Sequence, residues 1–486
     1  MKIEPLVPTK PRPVAVVAPG HRTIRIITED GDMQVTGKRQ VEAHLERLSG
    51  HVVYSIGSLL ALRHTTGALS WTCHTWRGKA TRMVHEPSGT VVTTLRGTMD
   101  TSTDIMGDLG RVFKWLRSYG VGPGSISTMS WNLWRASLPR PVTIGADPDI
   151  TSAALFGGRQ EIRDVRSYQH MNSADITAAY PTAMASRRYA LSLRSVSPST
   201  TIDPEVSGIA EASVFVPADL SYGPIPRRLA ERIIQFPVGV VKGTWAWCEL
   251  DAARSLGCQV NVDRAWAPRS EGDLFSTWWE MALQGRALGG ASGQLAKAIC
   301  NSLWGQFAMD GSDRGQLRWE NDRGEGAFVL ESPPIKLPHR WCIHVAAETT
   351  ARVRRRLLLE GIYSGPGHPV HVDTDGVIVR RSNPLPEPAG PEPGQWRIKA
   401  AMKVVDVRAP QLYRWSCSRC GLEHPEWHYV AAGVPEKAAP LVFADRPKAG
   451  TRIAYRDLLD AVVPSTHTDD REKVARLVAL AKELIA

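Results

Sequence analysis

The chain is short of cysteine, of long apolar runs and, over one stretch, of acid. Seven cysteines in 486 residues, five of them isolated (Cys73, Cys248, Cys258, Cys300 and Cys342), exclude a disulfide framework, and only Cys417 and Cys420 stand close together. No run reaches the roughly 20 apolar residues of a membrane-spanning helix. The opening Met1-Lys2-Ile3-Glu4-Pro5 has no apolar signal core. A cytoplasmic protein with no membrane partner is therefore expected. From Arg47 to His85 there is neither Asp nor Glu, so that segment offers no carboxylate to a metal. No internal repeat is present, and phenylalanine is scarce, 8 against 16 tryptophans.

What is present is ordinary globular composition. Hydrophobic residues at 43% and charged residues at 22% exclude a disordered, collagenous or coiled-coil chain. The length allows about three structural units at roughly 100 to 200 residues each. Lys and Arg number 59 against 49 Asp and Glu, a net charge of +10, which leans toward a polyanionic partner. The tryptophans are dispersed, which favours core positions over a stacking platform.

Along the chain, Thr23-Ile24-Arg25-Ile26-Ile27 and Met33-Gln34-Val35 flank Asp30-Gly31, a hairpin signature, and residues 1–150 read as a mixed α/β unit. Residues 150–270 are strand-rich, with period-two alternation from Gly208 to Val216. From Asp273 to Ala308 the pattern is a helical hairpin. Leu274, Trp278, Met281 and Ala282 recur at helical spacing, Gly289-Gly290 breaks the run, and Leu295, Ile299, Leu303 and Phe307 follow. The proline-rich stretch Ser382 to Gly394 reads as an exposed loop. Arg352, Arg354, Arg355 and Arg356 are spread around a helix, so ion pairing or solvation is the default and duplex contact the alternative. Val474, Leu477, Val478, Ala481, Leu484 and Ile485 make a C-terminal amphipathic helix.

Three constellations carry chemistry. In Ala174-Asp175-Ile176-Thr177-Ala178-Ala179-Tyr180-Pro181 a strand ends on an acid, and Pro181 follows where a helix tolerates it. In His371-Val372-Asp373-Thr374-Asp375-Gly376-Val377-Ile378-Val379, period-two spacing puts Asp373 and Asp375 on one face of a hairpin, where they repel unless a cation sits between them. In Lys297-Ala298-Ile299-Cys300-Asn301-Ser302-Leu303-Trp304-Gly305, Lys297 and Asn301 share a helix face.

In this order the three resemble the polymerase motifs D-x-x-S-L-Y-P, K-x-x-x-N-S-x-Y-G and Y-x-D-T-D-S of family B DNA polymerases, and the resemblance runs from about Leu155 to Tyr413. Leu155-Phe156-Gly157-Gly158 is similar to that family's Y-x-G-G segment, Gly394-Gln395-Trp396 follows the third motif as in the family, and Gln411-Leu412-Tyr413 resembles its K-x-Y site. The compact size resembles the phage and protein-primed branch, and composition suggests a phage or mobile-element gene in a bacterial host.

The resemblance implies an α+β multidomain, right-hand polymerase. Residues 1–150 would be a ribonuclease-H-like, exonuclease-type domain, 151–270 and 309–408 the two parts of an antiparallel palm, 271–308 helical fingers and 409–486 the thumb. It implies template-directed addition of deoxynucleotides to a primer 3′-hydroxyl, with DNA primer-template and deoxynucleoside triphosphates as partners. Asp175, Asp373 and Asp375 would be catalytic and would hold two Mg²⁺ or Mn²⁺ ions. Lys297 and Arg286 would meet the triphosphate. Tyr180 would exclude a 2′-hydroxyl, and Asn301 and Trp304 would flank the new base pair. Tyr413, Gln411, Gly157 and Gly158 would contact DNA.

This sequence departs from the family at Ala178, Ala179, His371, Gly376, Trp304 and Gln411. No metal-binding acid is lost, but Gln411 removes a positive charge near the primer terminus. The N-terminal region has no early D-x-E, and Val52 to Ser58, similar to the second exonuclease motif in its apolar pattern, carries no acid. The exonuclease domain is expected to be degenerate, without proofreading. Cys417, Cys420, His424 and His428 have the spacing of a small zinc site, or else Cys417 and Cys420 are a free thiol pair on a hairpin. The stretch Met309 to Pro338 is long enough to house a terminal-protein insertion. Two other readings stay open: a primase-like enzyme that starts chains without a primer, and an inactive DNA-binding replication factor on a polymerase scaffold.

Overall fold

A computed structural model describes residues 2–7, 14–19, 23–28, 31–36, 38–48, 51–55, 71–76, 79–85, 90–95 and 104–145 of the first part of the chain. Beyond these it describes 148–308 apart from 201, 231 and 232, then 314–322, 325–331, 342–417 apart from 365 and 366, 427–431 and 443. The fold is mixed α/β and divides into two units, Met1–Gly145 with Asp273–Ile343, and Ala146–Gly272 with His344–Ala486. Among the described residues no helix is long and apolar enough to cross a membrane.

The first unit opens with a meander of three antiparallel strands, β1 (Val14–Pro19), β2 (Thr23–Thr28) and β3 (Gly31–Thr36). Thr28 stands opposite Gly31, the register of the hairpin expected there. After α1 (Lys38–Arg47), β4 (Val52–Ser55) runs parallel to β1. The hairpin of β5 (Trp71–Trp76) and β6 (Lys79–His85) then leads to β7 (Thr90–Thr94), which is parallel to β4. Two helices follow, α2 (Ile105–Arg117) and α3 (Ile126–Ala136). Asp104 and Ser125 cap them by accepting from the N–H groups of Gly107 and Thr128, which satisfies donors that the first turn leaves without a helical partner.

In the second unit a short helix, Pro148–Ala153, precedes β8 (Arg159–Ile162), β9 (Arg166–Ile176) and α4 (Ala179–Ala185). A separate antiparallel sheet follows, made of β10 (Tyr189–Val196), β11 (Ile209–Val216), β12 (Gly239–Ala246) and, after α5 (Trp247–Ser255), β13 (Gln259–Gly272). Its order is β10-β13-β11-β12. The alternation in β11 is realised: Ala210, Ala212, Val214 and Val216 are buried while Phe215 is exposed.

The chain returns to the first unit as α6 (Ser276–Arg286), α7 (Gly290–Asn301) and α8 (Leu303–Phe307). Gly289 and Gly290 break the hairpin at φ of 69° and 51°, a region where a Cβ is costly. All eight apolar residues expected to face inward are buried. Tryptophans far apart in sequence, Trp115, Trp131, Trp134 and Trp278, meet in this bundle. Trp115 Nε1 donates to the Met281 carbonyl at 3.1 Å and Trp134 Nε1 to that of Leu274 at 2.8 Å. Trp131, Trp134 and Phe307 pack at 4.8 to 5.6 Å between ring centres, so α2 and α3 are pinned to the hairpin by aromatic burial and indole hydrogen bonds. A further hairpin, β14 (Arg314–Asp322) and β15 (Glu325–Glu331), pairs with β5 and completes a nine-stranded sheet, β15-β14-β5-β6-β7-β4-β1-β2-β3. Residues 314–322 and 325–331 thus belong to this sheet and not to that of the second unit.

The second unit resumes with α9 (Ile343–Arg356) and a π-helical turn, Leu357–Ile362. The strands β16 (His371–Thr374), β17 (Gly376–Arg380), β18 (Trp396–Ala409), β19 (Leu412–Cys417) and β20 (His428–Ala431) follow. With β8 and β9 they form a fully antiparallel sheet in the order β8-β16-β17-β9-β18-β19-β20. Val353, Leu357, Leu358 and Ile362 pack against Ala174, Val372, Val377 and Trp396, so the helix buries one face of the sheet. The arginines of α9 are ion-paired: Arg352 to Glu348, Arg354 to Glu249, Arg355 to Asp251 and Arg356 to Glu360. No strand lies in 382–394. The expected C-terminal helix lies outside the described residues.

Candidate active site

Asp175, next to last in β9, and Asp373 on β16 lie opposite the same residue, Gly376 of β17. With β17 between them, the two acids stand in one row of the sheet, their backbones two strand spacings or about 10 Å apart. Gly376 keeps that row open. A Cβ there would lie 2.9 Å from the carbonyl oxygen of Ala174 and 3.4 Å from the Asp175 Cβ.

Asp375 reaches the same row by a different route from the one its spacing implies. Asp373 pairs with Gly376, which leaves Thr374 and Asp375 as the two central residues of the turn, with Thr374 at φ 59°. Alternation therefore does not apply between the two acids. A tight turn brings them together, and it is tied down by Ile176 N–H donating to the Asp375 carbonyl at 2.9 Å. Burial, followed by the charges of Asp175 and Asp373, pushes the Asp375 carboxyl up to about 6, and Lys399 opposes the shift.

Each flanking acid has its own partners. Asp175 accepts from Arg397 Nε at 3.0 Å and pairs with Lys399 Nζ at 3.7 Å. Asp373 Oδ1 accepts from Gln411 Nε2 at 2.8 Å, from Thr374 Oγ1 at 3.1 Å and from Gln160 Nε2 at 3.5 Å. His371 is buried, which lowers its pKa so that the ring is neutral. Its Nε2 accepts from the Gln411 backbone N–H at 3.2 Å, and the Tyr413 ring lies edge-on at 4.9 Å. Burial, then the Asp373 charge, raises the Tyr413 hydroxyl above its ordinary pKa.

Oxygen donors on neighbouring strands are the ligand set of a hard divalent cation, and such an ion relieves the repulsion felt at Asp375. The donor chemistry therefore fits. In the arrangement described, the oxygens of Asp175 are engaged by Arg397 and Lys399, and no three His, Cys, Asp or Glu groups among the described residues converge to hold a metal.

The surroundings hold this row in place. Arg354 donates to the carbonyls of Phe156 and Gly157, both at 2.7 Å, so the Gly157-Gly158 segment is anchored to α9. A Cβ on Gly158 would meet the Thr374 side chain at 2.8 Å. Thr177 exchanges backbone hydrogen bonds with Gln395 and Gly394, while Trp396 Nε1 donates to Glu360 at 2.8 Å. The segment Gly394-Gln395-Trp396 thus braces the loop after Asp175. Tyr180 is the second residue of α4, which follows Ala178 at a left-handed φ of 54°. Burial raises its hydroxyl pKa, and the charges of Asp375 and Asp373 add to that.

Lys297, Arg286, Asn301 and Trp304 belong to the first unit. Arg286, Gly289, Gly290, Gly293, Gln294 and Lys297 line an open groove of about 360 Å³ at the start of α7. Two cations, a glycine-rich turn and a helix N-terminus suit phosphate oxygens. Gly293 allows the close crossing, since a Cβ there would lie 3.1 Å from the Arg286 carbonyl oxygen. Lys297 is exposed, while Asn301 and Trp304 are partly buried on the same helical segment.

Cys417 ends β19, and His428 begins β20 stacked on Trp415 at 4.2 Å. Cys420 and His424 lie outside the described residues. Gln160, Arg397 and Lys399 were not found from sequence. The available signal was that Arg397 and Lys399 directly follow Gly394-Gln395-Trp396 and Gln160 directly follows Gly158-Arg159.

No protein-family model matches the chain, and no curated protein matches it in sequence. Solved structures do match. The Phi29 DNA polymerase complexed with primer-template DNA and incoming nucleotide substrates aligns with a TM-score of 0.63 at 12% identity, over 88% of this chain and 93% of that one. The same polymerase with primer-template DNA, in its post-translocation binary complex, aligns at 0.60, 12% identity and the same coverage. At this identity the likeness is one of fold.

Proposed function

We propose that the protein is a template-directed DNA polymerase that extends a primer 3′-hydroxyl with deoxynucleotides, and that it does not proofread. The observation that carries this reading is the row Asp373, Gly376, Asp175 with Asp375 in the adjoining turn. The likeness to a polymerase solved with primer-template DNA and nucleotide supports it.

Asp175, Asp373 and Asp375 would hold two Mg²⁺ or Mn²⁺ ions, which when bound lower the pKa of the attacking hydroxyl and neutralise the triphosphate. Lys297 and Arg286 bind and orient triphosphate oxygens in the groove beside Gly289 and Gly290, and phosphoryl transfer depends chiefly on such positioning. Tyr180 stands beside the acids as a steric gate against a 2′-hydroxyl. Asn301 and Trp304 flank the nascent base pair. Tyr413 and the Gly157-Gly158 segment contact the primer-template, and Gln411 orients Asp373. This reading gives the family B arrangement of palm, fingers and thumb, and the compact size suggests its phage branch.

The absence of proofreading is supported by the N-terminal sheet. The meander β1-β2-β3 followed by parallel β4 and β7 suits a ribonuclease-H-like domain. The parallel pair β1 and β4 carries no acid. Priming by a terminal protein remains an open part of the proposal.

Primer extension by the wild type beside Asp373→Asn, with and without a primer, tests the reading. Primer-dependent products lost in the variant are expected. Products without a primer would favour a primase, and no products from the wild type would favour an inactive scaffold. Trimming of a labelled single strand from its 3′ end would overturn the absence of proofreading.

A further inference from the structure

Without a divalent cation the acid row needs positive charge from elsewhere. At Asp373 an amide takes that place, since Gln411 donates to Oδ1 at 2.8 Å. At Asp175 two cations do: Arg397 Nε engages Oδ1 at 3.0 Å and Lys399 Nζ approaches Oδ2 at 3.7 Å. Both oxygens that a metal would use are therefore engaged by side chains of one strand.

The arrangement is built into the sheet. Along β18, Arg397 pairs with Asp175 and Ile398 with Ala174, but Ser173 pairs with Ala400, so Lys399 is the extra residue of a β-bulge. A bulge re-aims the side chain it carries. Here the bulged residue is the second cation within reach of Asp175. The geometry also permits release. Asp175 is 18% exposed, whereas the Arg397 and Lys399 side chains are 44% and 66% exposed, so their long stems reach solvent without disturbing the sheet.

We propose that Arg397 and Lys399 form an internal counter-ion that holds Asp175 when no divalent cation is bound and gives it up when one enters. The two side chains thereby set the metal affinity of the acid row. This rests on the polymerase reading only in taking Asp175 as a metal ligand. An exposed ion pair competes weakly and a double one more strongly, so the pair lowers affinity without abolishing it.

Manganese binding to the full chain, counted as free Mn²⁺ by electron paramagnetic resonance, tests the proposal. Arg397→Gln is expected to tighten Mn²⁺ binding about threefold and the Arg397→Gln, Lys399→Gln double variant about tenfold. Lys403→Gln, an exposed lysine farther along β18, should change it less than about twofold. Asp175→Asn should bind weakly with or without the double change. Melting in EDTA gives a second readout: the double variant melts below the wild type, and Mn²⁺ closes the gap. Unchanged or weaker binding by the double variant, or equal tightening by Lys403→Gln, overturns the counter-ion role. If primer extension is intact in that case, only this proposal fails. No Mn²⁺ binding by wild type or variants at millimolar concentration overturns both this proposal and the metal-dependent reading.

Discussion

The side-chain amide of Gln411 donates to Asp373 at 2.8 Å while its backbone N–H donates to His371 at 3.2 Å. Gln411, which the sequence alone suggests as a DNA contact of reduced charge, thus orients the Asp373 carboxylate and is itself held at a left-handed φ of 54°. Gln411→Ala is expected to lower kcat roughly 10- to 100-fold, as loss of a group that orients a metal ligand does, with little change in primer affinity. A binding titration beside single-turnover extension separates the two. A weakened primer affinity with normal kcat would return Gln411 to the DNA-contact role.

Asp375 makes stability depend on pH. Its folded-state carboxyl titrates at about 6, above the ordinary 3.8, so the native state holds the proton more tightly than the unfolded chain. The stabilisation this provides is complete below pH 4 and is lost as pH rises through 6. In EDTA, Asp375→Asn should therefore be more stable than the wild type at pH 8, by at most about 3 kcal/mol, and equal to it near pH 4. Chemical denaturation at the two pH values checks this. A variant less stable at pH 8 would show that the charged carboxylate is not under strain.

Gly376 separates the two flanking acids. Gly376→Ala places a methyl group 2.9 Å from the Ala174 carbonyl oxygen, an overlap that costs about 1 to 3 kcal/mol when the surroundings shift to absorb it. Loss of extension activity beyond what the drop in melting temperature explains is the expected result. Wild-type activity would mean that the row tolerates displacement.

The groove at α7 predicts a split between two cations. Lys297→Ala should lower kcat/KM for the incoming nucleotide roughly 100-fold, the usual loss for a group facing developing charge, and Arg286→Ala by less. Single-nucleotide extension measures both. An unchanged kcat/KM in Lys297→Ala would remove the groove from the reaction.

Zinc is the last test. If Cys417, Cys420, His424 and His428 bind it, elemental analysis of the purified protein finds one zinc per chain, and a Cys417→Ser variant loses it. A content far below stoichiometric leaves a thiol pair on a hairpin.

Several elements of the fold are written in local sequence pattern. The helical hairpin with its Gly289-Gly290 break, the alternation of β11 and the burial of Trp115, Trp131, Trp134, Trp245, Trp247, Trp278 and Trp396 follow from spacing and hydrophobicity, which act over a few residues. The three acids and Lys297 stand out as candidates for the same reason, because each sits in a short string of suggestive residue types. That Asp175 and Asp373 share one row across Gly376 follows from long-range strand pairing, which no local pattern shows. The same pairing makes a turn and not alternation deliver Asp375, adds residues 314–322 and 325–331 to the first unit's sheet, and brings Arg397, with Lys399 beside it, onto an acid 222 positions away. Those relations depend on strand register and on a single bulged residue, and register is set by packing over the whole sheet.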